Sequence, residues 1–305
     1  MIWSWLLRDR ASRGRGKREA AASAVVAGPD FLCVGAHKAG TTWLYQQLNA
    51  HPDFWMPPFK ELHYFDQLSR VKRAAPPRRR DERDLLFLEG IERLSAEPKL
   101  RLENYARLFE VKGSLLSGDI SPNYSTLTDG VIRQIARFFP RLKVIYMARD
   151  PVDRFWSHLS MEAHYRQIPH FDSTNIEDVN RYLLRRGMLL RSYPSVTVAR
   201  WKRWVQPDRF RVFFFDDLQT DPAKLRRSIL KFLGADPHKV SERNPPCDRS
   251  AGVETTNFNS WAGMKKLPLT DEVRSHLARF FEKELKACAV QLGGPARNWP
   301  GRYGF

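Results

Sequence analysis

The run Phe31-Leu-Cys-Val-Gly35-Ala-His-Lys38-Ala-Gly40-Thr41-Thr42-Trp-Leu44 constrains this chain more than any other stretch of it. It opens with an apolar strand, Phe31 to Gly35, turns between two glycines, and continues as a helix predicted over Thr41 to Ala50. A turn of this kind points backbone N–H groups and a helix N-terminus at one spot, which is an anion site. The spacing of Gly35 and Gly40 matches the first half of the nucleotide triphosphate loop G-x-x-x-x-G-K-[ST]; the second half does not match. Thr41 stands where that loop carries its lysine, and the lysine of the turn, Lys38, comes before the second glycine. The ligand expected is therefore a nucleotide other than ATP or GTP.

The rest of the chain alternates short β-rich runs with longer helical ones, which implies βαβ units and a mostly parallel sheet. Strands are predicted at Leu115–Asp119, Leu142–Ala148 and Arg211–Phe215, with a short extended piece at Phe54–Met56. Helices are predicted from Asp129 to Phe139, from Pro151 to about Arg166 behind an Asp150 N-cap, and over 177–190, 194–205, 222–233 and 271–291. With 305 residues, 42% of them hydrophobic, one large core is the natural outcome. The fold class expected is α/β: a P-loop-like three-layer arrangement with a central, mostly parallel sheet of about five strands flanked by helices. Residues 1–28 read as a basic, flexible N-terminal segment and 29–305 as the domain. The charged, proline-punctuated stretch at about 67–98 reads as an excursion rather than core.

The formal charge of +17 raises the question of nucleic acid, but its distribution matters more than its total. Residues 1–20 carry six Arg/Lys against two acids, 70–83 seven against two, and 185–211 eight against one. The first two stretches read as solvated charge runs, with attraction of a polyanion or an anionic surface as the functional alternative. The apolar opening Met1 to Leu7 is far shorter than the roughly 20 residues of a spanning helix. The location expected is cytoplasmic, with peripheral membrane contact through residues 1–20 as the variant of that reading. Three scattered cysteines, Cys33, Cys247 and Cys288, suit neither a disulfide framework nor a zinc site. Trp201 and Trp204, with Arg200, Lys202 and Arg203 around them, read as core aromatics with a basic outer face.

Lys38-Ala-Gly-Thr-Thr-Trp-Leu44 closely resembles the 5'-phosphosulfate loop, K-x-G-T-T/S-x-L, of the sulfotransferases that use 3'-phosphoadenosine-5'-phosphosulfate (PAPS). The resemblance implies that Lys38, Ala39, Gly40, Thr41, Thr42 and Trp43 hold the 5'-phosphosulfate. It also implies that Lys38 stabilises the oxygen that becomes the leaving phosphate, chemistry a positioned cation favours, and that no metal is needed. The family's second anion pocket, an arginine at a strand end and a serine eight residues on, is matched by Arg149 and Ser157. A guanidinium at the carboxyl edge of a sheet can take phosphate bidentately. The competing reading pairs Arg149 with Asp150 or Asp153.

Sulfuryl transfer also needs a base for the acceptor's proton. The histidine that many small-molecule sulfotransferases carry is missing from Ser117-Gly-Asp-Ile-Ser-Pro-Asn-Tyr124. Instead Lys60-Glu61-Leu-His63-Tyr-Phe-Asp66 resembles the segment that supplies a catalytic glutamate in heparan-sulfate-type sulfotransferases. If the segment is extended, Glu61 and His63 share a face. Glu61 is the base expected, with His63 orienting it or touching a ligand, Lys60 assisting, and Asp119 as the competing base. The resemblance covers about residues 30–292 and implies transfer to a hydroxyl or amine of a carbohydrate or other small acceptor, without nucleic acid. A P-loop-type nucleotide or sugar kinase, a non-catalytic basic nucleic-acid binder, and a PAPS-binding scaffold without turnover are the alternatives.

Overall fold

The computed structural model describes residues 28–66, 81–95, 101–166, 171–239 and 266–305. Expectations placed on residues 1–20, on the basic run at 70–80, and on Cys247 lie outside these. The described elements run β1 (Phe31–Cys33), α1 (Thr41–Asn49), α2 (Glu82–Ser95), α3 (Leu102–Arg107), β2 (Gly118–Ile120), α4 (Asp129–Phe138), β3 (Lys143–Ala148) and α5 (Pro151–Arg166). Then come α6 (Ile176–Leu183), α7 (Arg186–Leu190), α8 (Pro194–Lys202), β4 (Phe210–Phe214), α9 (Phe215–Thr220), α10 (Pro222–Leu233) and α11 (Asp271–Leu292), followed by two 3-10 turns within Gly294–Tyr303. Among the described residues no helix is long and apolar enough to cross a membrane.

The sheet is parallel throughout, in the order β2-β1-β3-β4. β1 lies inside it, Leu32 level with Asp119 on one side and Val144 on the other. Such central strands are covered on both faces and so read as unbroken apolar runs: Phe31, Leu32, Cys33 and Val34 are all fully buried. Helices close both layers. α11 contributes Val273, Leu277, Phe281, Leu285 and Cys288 along one buried stripe, the three-to-four residue spacing of a core-facing helix.

Four strands are described where about five are expected, and the reason is local. The extended piece at Phe54 does approach the sheet edge beside β2: Trp55 N–H donates to the Leu116 carbonyl and Leu116 N–H to the Asp53 carbonyl, both at 2.9 Å. Pro57 and Pro58 then remove two amide donors in succession, so the ladder stops at a single bridge.

Two further expectations need correction. The stretch at 67–98 is not all excursion, because α2 lies within it and buries Phe87, Ile91 and Leu94 in the main core. Those residues recur at helical spacing; the charges between them fill the outer face. Phe87 meets the Trp55 ring at 5.4 Å and that of Phe109 at 6.2 Å. Likewise the strand predicted to end at Phe215 ends at Phe214, and Phe215 opens α9. Trp201 is fully buried, and Trp204 donates from Nε1 to Asp129 at 2.8 Å beside Arg203, as a core-and-rim reading requires.

Candidate active site

The carboxyl ends of β1, β2 and β3 converge on the glycine turn. Gly40 precedes α1 at φ 88°, a left-handed conformation, and a Cβ there would stand 2.6 Å from Leu218 Cδ2. Only glycine fits both demands. Helix α1 begins without a side-chain cap and without an acidic residue in its first turn. The first N–H groups of a helix have no intrahelical acceptor, so the amides of Thr41, Thr42 and Trp43 open an anion site. The Trp43 indole packs into the core, which leaves its backbone as the part available to a ligand.

Lys38 sits in the turn at φ 68°, a left-handed conformation that costs a non-glycine residue free energy. Its carbonyl accepts a 2.6 Å hydrogen bond from Arg149 Nη1, and its Nζ lies 3.7 Å from Met161 Sδ on α5. Burial, reinforced by the charges of Arg149, Lys60 and Lys266, pushes the ammonium down to about 8. A lysine crowded by like charge in a half-dry turn gains most from an incoming anion.

Arg149 leaves the end of β3 and is only 8% exposed. Its guanidinium lies over the Phe215 ring, 4.3 Å from the centroid, and its Nε is buried without a hydrogen-bond partner. Asp150 is occupied elsewhere: it caps α5 through the Val152 N–H at 2.9 Å and accepts from Tyr303 at 3.0 Å. Ser157 lies buried two turns into α5, four residues before Met161, so the two share the helix face that looks at the turn. Lys266 exerts its charge on Lys38, and its neighbour Leu267 docks on the same helix by accepting from Trp156 Nε1 at 3.0 Å.

On the other side of the turn the chain after Pro58 returns to the sheet edge, where Glu61 N–H donates to the Ile120 carbonyl at 3.0 Å. Glu61 and His63 do meet, with Oε2 and Nε2 3.4 Å apart, but not because the segment is extended. Both residues have positive φ, 67° and 55°, and it is this tight winding that brings them together. Lys60 Nζ sits 2.7 Å from Glu61 Oε1 and donates to Thr42 Oγ1 at 3.0 Å, which ties the carboxylate to the anion turn. Burial alone would raise Glu61, but the His63 hydrogen bond and the Lys60 charge overcome it and hold the carboxyl well below its usual range. Burial likewise opposes charge on His63, yet Asp66, 3.0 Å from Nδ1, and Glu61 push the imidazole up to about 9.

Sequence reasoning did not find the rest of this network. Asn123 Nδ2 donates to Asp66, and Arg191 Nε donates to Asn123 Oδ1 at 2.7 Å. A buried layer lies alongside: Arg154, fully enclosed, donates to Ser192 Oγ at 2.7 Å and reaches His158 Nδ1 at 3.3 Å. The His158 ring stacks on His37 of the turn at 5.7 Å. Burial keeps both imidazoles neutral, His37 down to about 3. Nothing in residue spacing pairs positions so far apart; His37, Asp66, Asn123 and Arg154 stood in motif stretches already singled out, but without a sign of these contacts, and His158, Arg191 and Ser192 did not.

Asp119 is placed differently from Glu61. It is fully buried and accepts from the hydroxyls of Ser121 at 2.7 Å, Tyr124 at 2.6 Å and Tyr105 at 3.0 Å. With three internal donors and no exposed surface, it braces the sheet end. Among the described residues no group of three or more His, Cys, Asp or Glu side chains is arranged to hold a metal ion.

Comparison with known proteins agrees with this geometry. A family model described as the sulfotransferase family matches residues 29–239. The chain is 24% identical over 294 residues to the bifunctional heparan sulfate N-deacetylase/N-sulfotransferase 4 of Mus musculus, covering 89% of this chain and 31% of that protein. It is 24% identical over 297 residues to the corresponding enzyme 2 of Homo sapiens, covering 89% and 30%. The chain thus spans less than a third of the length of these curated relatives. Among solved structures, a sulfotransferase from Alicyclobacillus acidocaldarius superposes with a TM-score of 0.62 at 23% identity, covering 90% of this chain and 99% of that one. The sulfotransferase domain of the curacin biosynthetic pathway does so with 0.53 at 14% identity, covering 84% and 98%. At these identities the structures speak for the α/β fold.

Proposed function

Given that this chain belongs to the sulfotransferase family, we propose that it moves a sulfuryl group from PAPS to a hydroxyl or amine of a carbohydrate acceptor and releases 3',5'-adenosine bisphosphate. The observation that carries this reading is the contact of two anion sites. The Arg149 guanidinium is hydrogen-bonded to the Lys38 carbonyl at 2.6 Å, with its Nε donor uncommitted, beside a helix N-terminus that no side chain caps. A nucleotide with phosphate groups at both the 5' and 3' positions uses both sites; ATP has no use for the second.

On this reading the amides of Ala39 to Trp43 and the Thr41 and Thr42 hydroxyls hold the 5'-phosphosulfate, while Arg149 and Ser157 hold the 3'-phosphate. Lys38 offsets the charge that builds on the bridging oxygen as the sulfur–oxygen bond breaks, the kind of preorganised stabilisation that dominates many enzymes. Glu61, kept ionised, takes the acceptor's proton. His63, charged between Glu61 and Asp66, fixes the orientation of that carboxylate, and Lys60 links it to the threonine that faces the donor. The heparan sulfate relatives, together with the carboxylate base, favour a glycan acceptor, although fold alone does not set a substrate.

The test is incubation of the purified protein with sulfur-labelled PAPS and a panel of glycans bearing free hydroxyls or free amines. Label in a glycan with one adenosine bisphosphate released per transfer is the expected result. Phosphate transfer from ATP and magnesium, with PAPS left intact, would overturn it in favour of a kinase; PAPS binding without transfer to any acceptor would favour a scaffold without turnover.

A further inference from the structure

Arg149 has a second set of neighbours that the chemistry above leaves unused. The helices that hold it each carry a carboxylate at their start: Asp150 caps α5, directly after Arg149, and Asp216 stands in the first turn of α9, next to Phe215, the ring under the guanidinium. Asp150 is 1% exposed. An arginine this close to two buried or half-buried carboxylates would ordinarily pair with them, and for Asp150 that is part of the competing reading that the sequence leaves open.

The segment Gly293–Phe305 pre-empts that pairing. Tyr303 donates its hydroxyl proton to Asp150 Oδ2 at 3.0 Å, and Arg302 Nη1 lies 3.5 Å from the same oxygen. Arg302 Nη2 also donates to Asp216 Oδ1, so one guanidinium spans both carboxylates. Trp299 anchors the segment: it is fully buried against Phe214 and turns Nε1 to both Asp216 oxygens at 3.3 Å.

We propose that Arg302 and Tyr303 are positioning residues for recognition of the nucleotide's 3'-phosphate. By occupying Asp150 and Asp216 they keep Arg149 on the Lys38 carbonyl and the Phe215 ring and leave its other N–H groups for the ligand. Without them Arg149 swings into an ion pair with Asp150, Asp216 being still held by Trp299 Nε1, and the second anion pocket closes. The inference rests on the nucleotide reading given above, and its test separates the two.

The experiment titrates 3',5'-adenosine bisphosphate and, separately, 5'-AMP into the intact protein and its variants. The wild type should prefer the bisphosphate. Arg302→Ala and Tyr303→Phe should lower that preference, the arginine variant by about tenfold, the size of effect expected when a charge-assisted contact is lost, with 5'-AMP affinity unchanged. Adding Asp150→Asn to Arg302→Ala should restore the preference, because asparagine still caps α5 but no longer competes for Arg149. Variants that keep the wild-type preference, lose affinity for both nucleotides alike, or are not rescued by Asp150→Asn would overturn the positioning role and leave the nucleotide reading standing. A wild type without preference for the bisphosphate would overturn that reading and this inference with it.

Discussion

Arg149 Nη1 donates to the carbonyl of Lys38 at 2.6 Å, joining residues 111 positions apart in the chain. The bond makes one surface of two motifs. It places a guanidinium directly behind the peptide that carries the Lys38 side chain, so a change at either residue is felt at the other.

Lys38→Ala should lower sulfuryl transfer by about 100- to 1000-fold, the usual loss when a preorganised charge stabiliser is removed. Arg149→Ala should act mainly on the Michaelis constant for PAPS. Steady-state kinetics of the single and double variants should show losses that do not add, as for residues in direct contact. Arg149→Lys should not rescue, since an ammonium cannot hold a carbonyl, a ring face and a phosphate together.

Glu61→Gln should reduce turnover by about 100-fold, within the range for loss of a general base, and leave the melting temperature near that of the wild type. Asp119→Asn should do the reverse. Its carboxylate satisfies two buried phenols and a hydroxyl, and disturbing that set should cost at least about 2 kcal/mol of stability. Thermal unfolding and kinetics on the same preparations decide the assignment, which fails if Glu61→Gln turns over normally.

The lowered Lys38 value gives binding a defined pH dependence. An anion bound beside the ammonium favours its charged form, so the bound pKa lies above the free value of about 8. Affinity for adenosine bisphosphate should be level below pH 8 and fall as pH rises through it, by at most about tenfold per pH unit. Titration calorimetry at pH 8.5 in two buffers should show net proton uptake on binding, and Lys38→Gln should abolish it.

Phe87→Ala should destabilise the protein by about 3–5 kcal/mol, the cost of emptying a large aromatic site in a packed core. Chemical denaturation measures this directly. A change below about 1 kcal/mol would mean that α2 is peripheral, as its charged sequence suggests.

That helix shows where sequence and structure part. The anion turn was legible because Gly40, Lys38 and the threonines are local: backbone geometry sets their spacing and a strand and helix bracket them. The strands β1 and β3 were legible because burial on both faces leaves an almost unbroken apolar run in each, with Lys143 only at the start of β3. α2 was obscured because its charged residues equal its apolar ones in number and it follows directly on a proline-punctuated basic run. Asp66 stood in view within the Glu61 segment, but its contact with His63 depends on left-handed turns that the expectation of an extended strand had ruled out. Arg191, Ser192 and the pair Arg302 and Tyr303 reach the site across long separations, and neither periodicity nor motif spacing registers such contacts.

The proposed function requires one bound nucleotide to use both Lys38 and Arg149. Calorimetric titration of 3',5'-adenosine bisphosphate into wild type and into the Lys38→Ala, Arg149→Ala double variant, with ATP and magnesium titrated in parallel, tests it most directly. The bisphosphate should bind the wild type at least about tenfold more tightly than ATP, a difference of about 1.4 kcal/mol, and the double variant should lose this binding. Tighter binding of ATP with magnesium, or bisphosphate binding undiminished in a folded double variant, would contradict it.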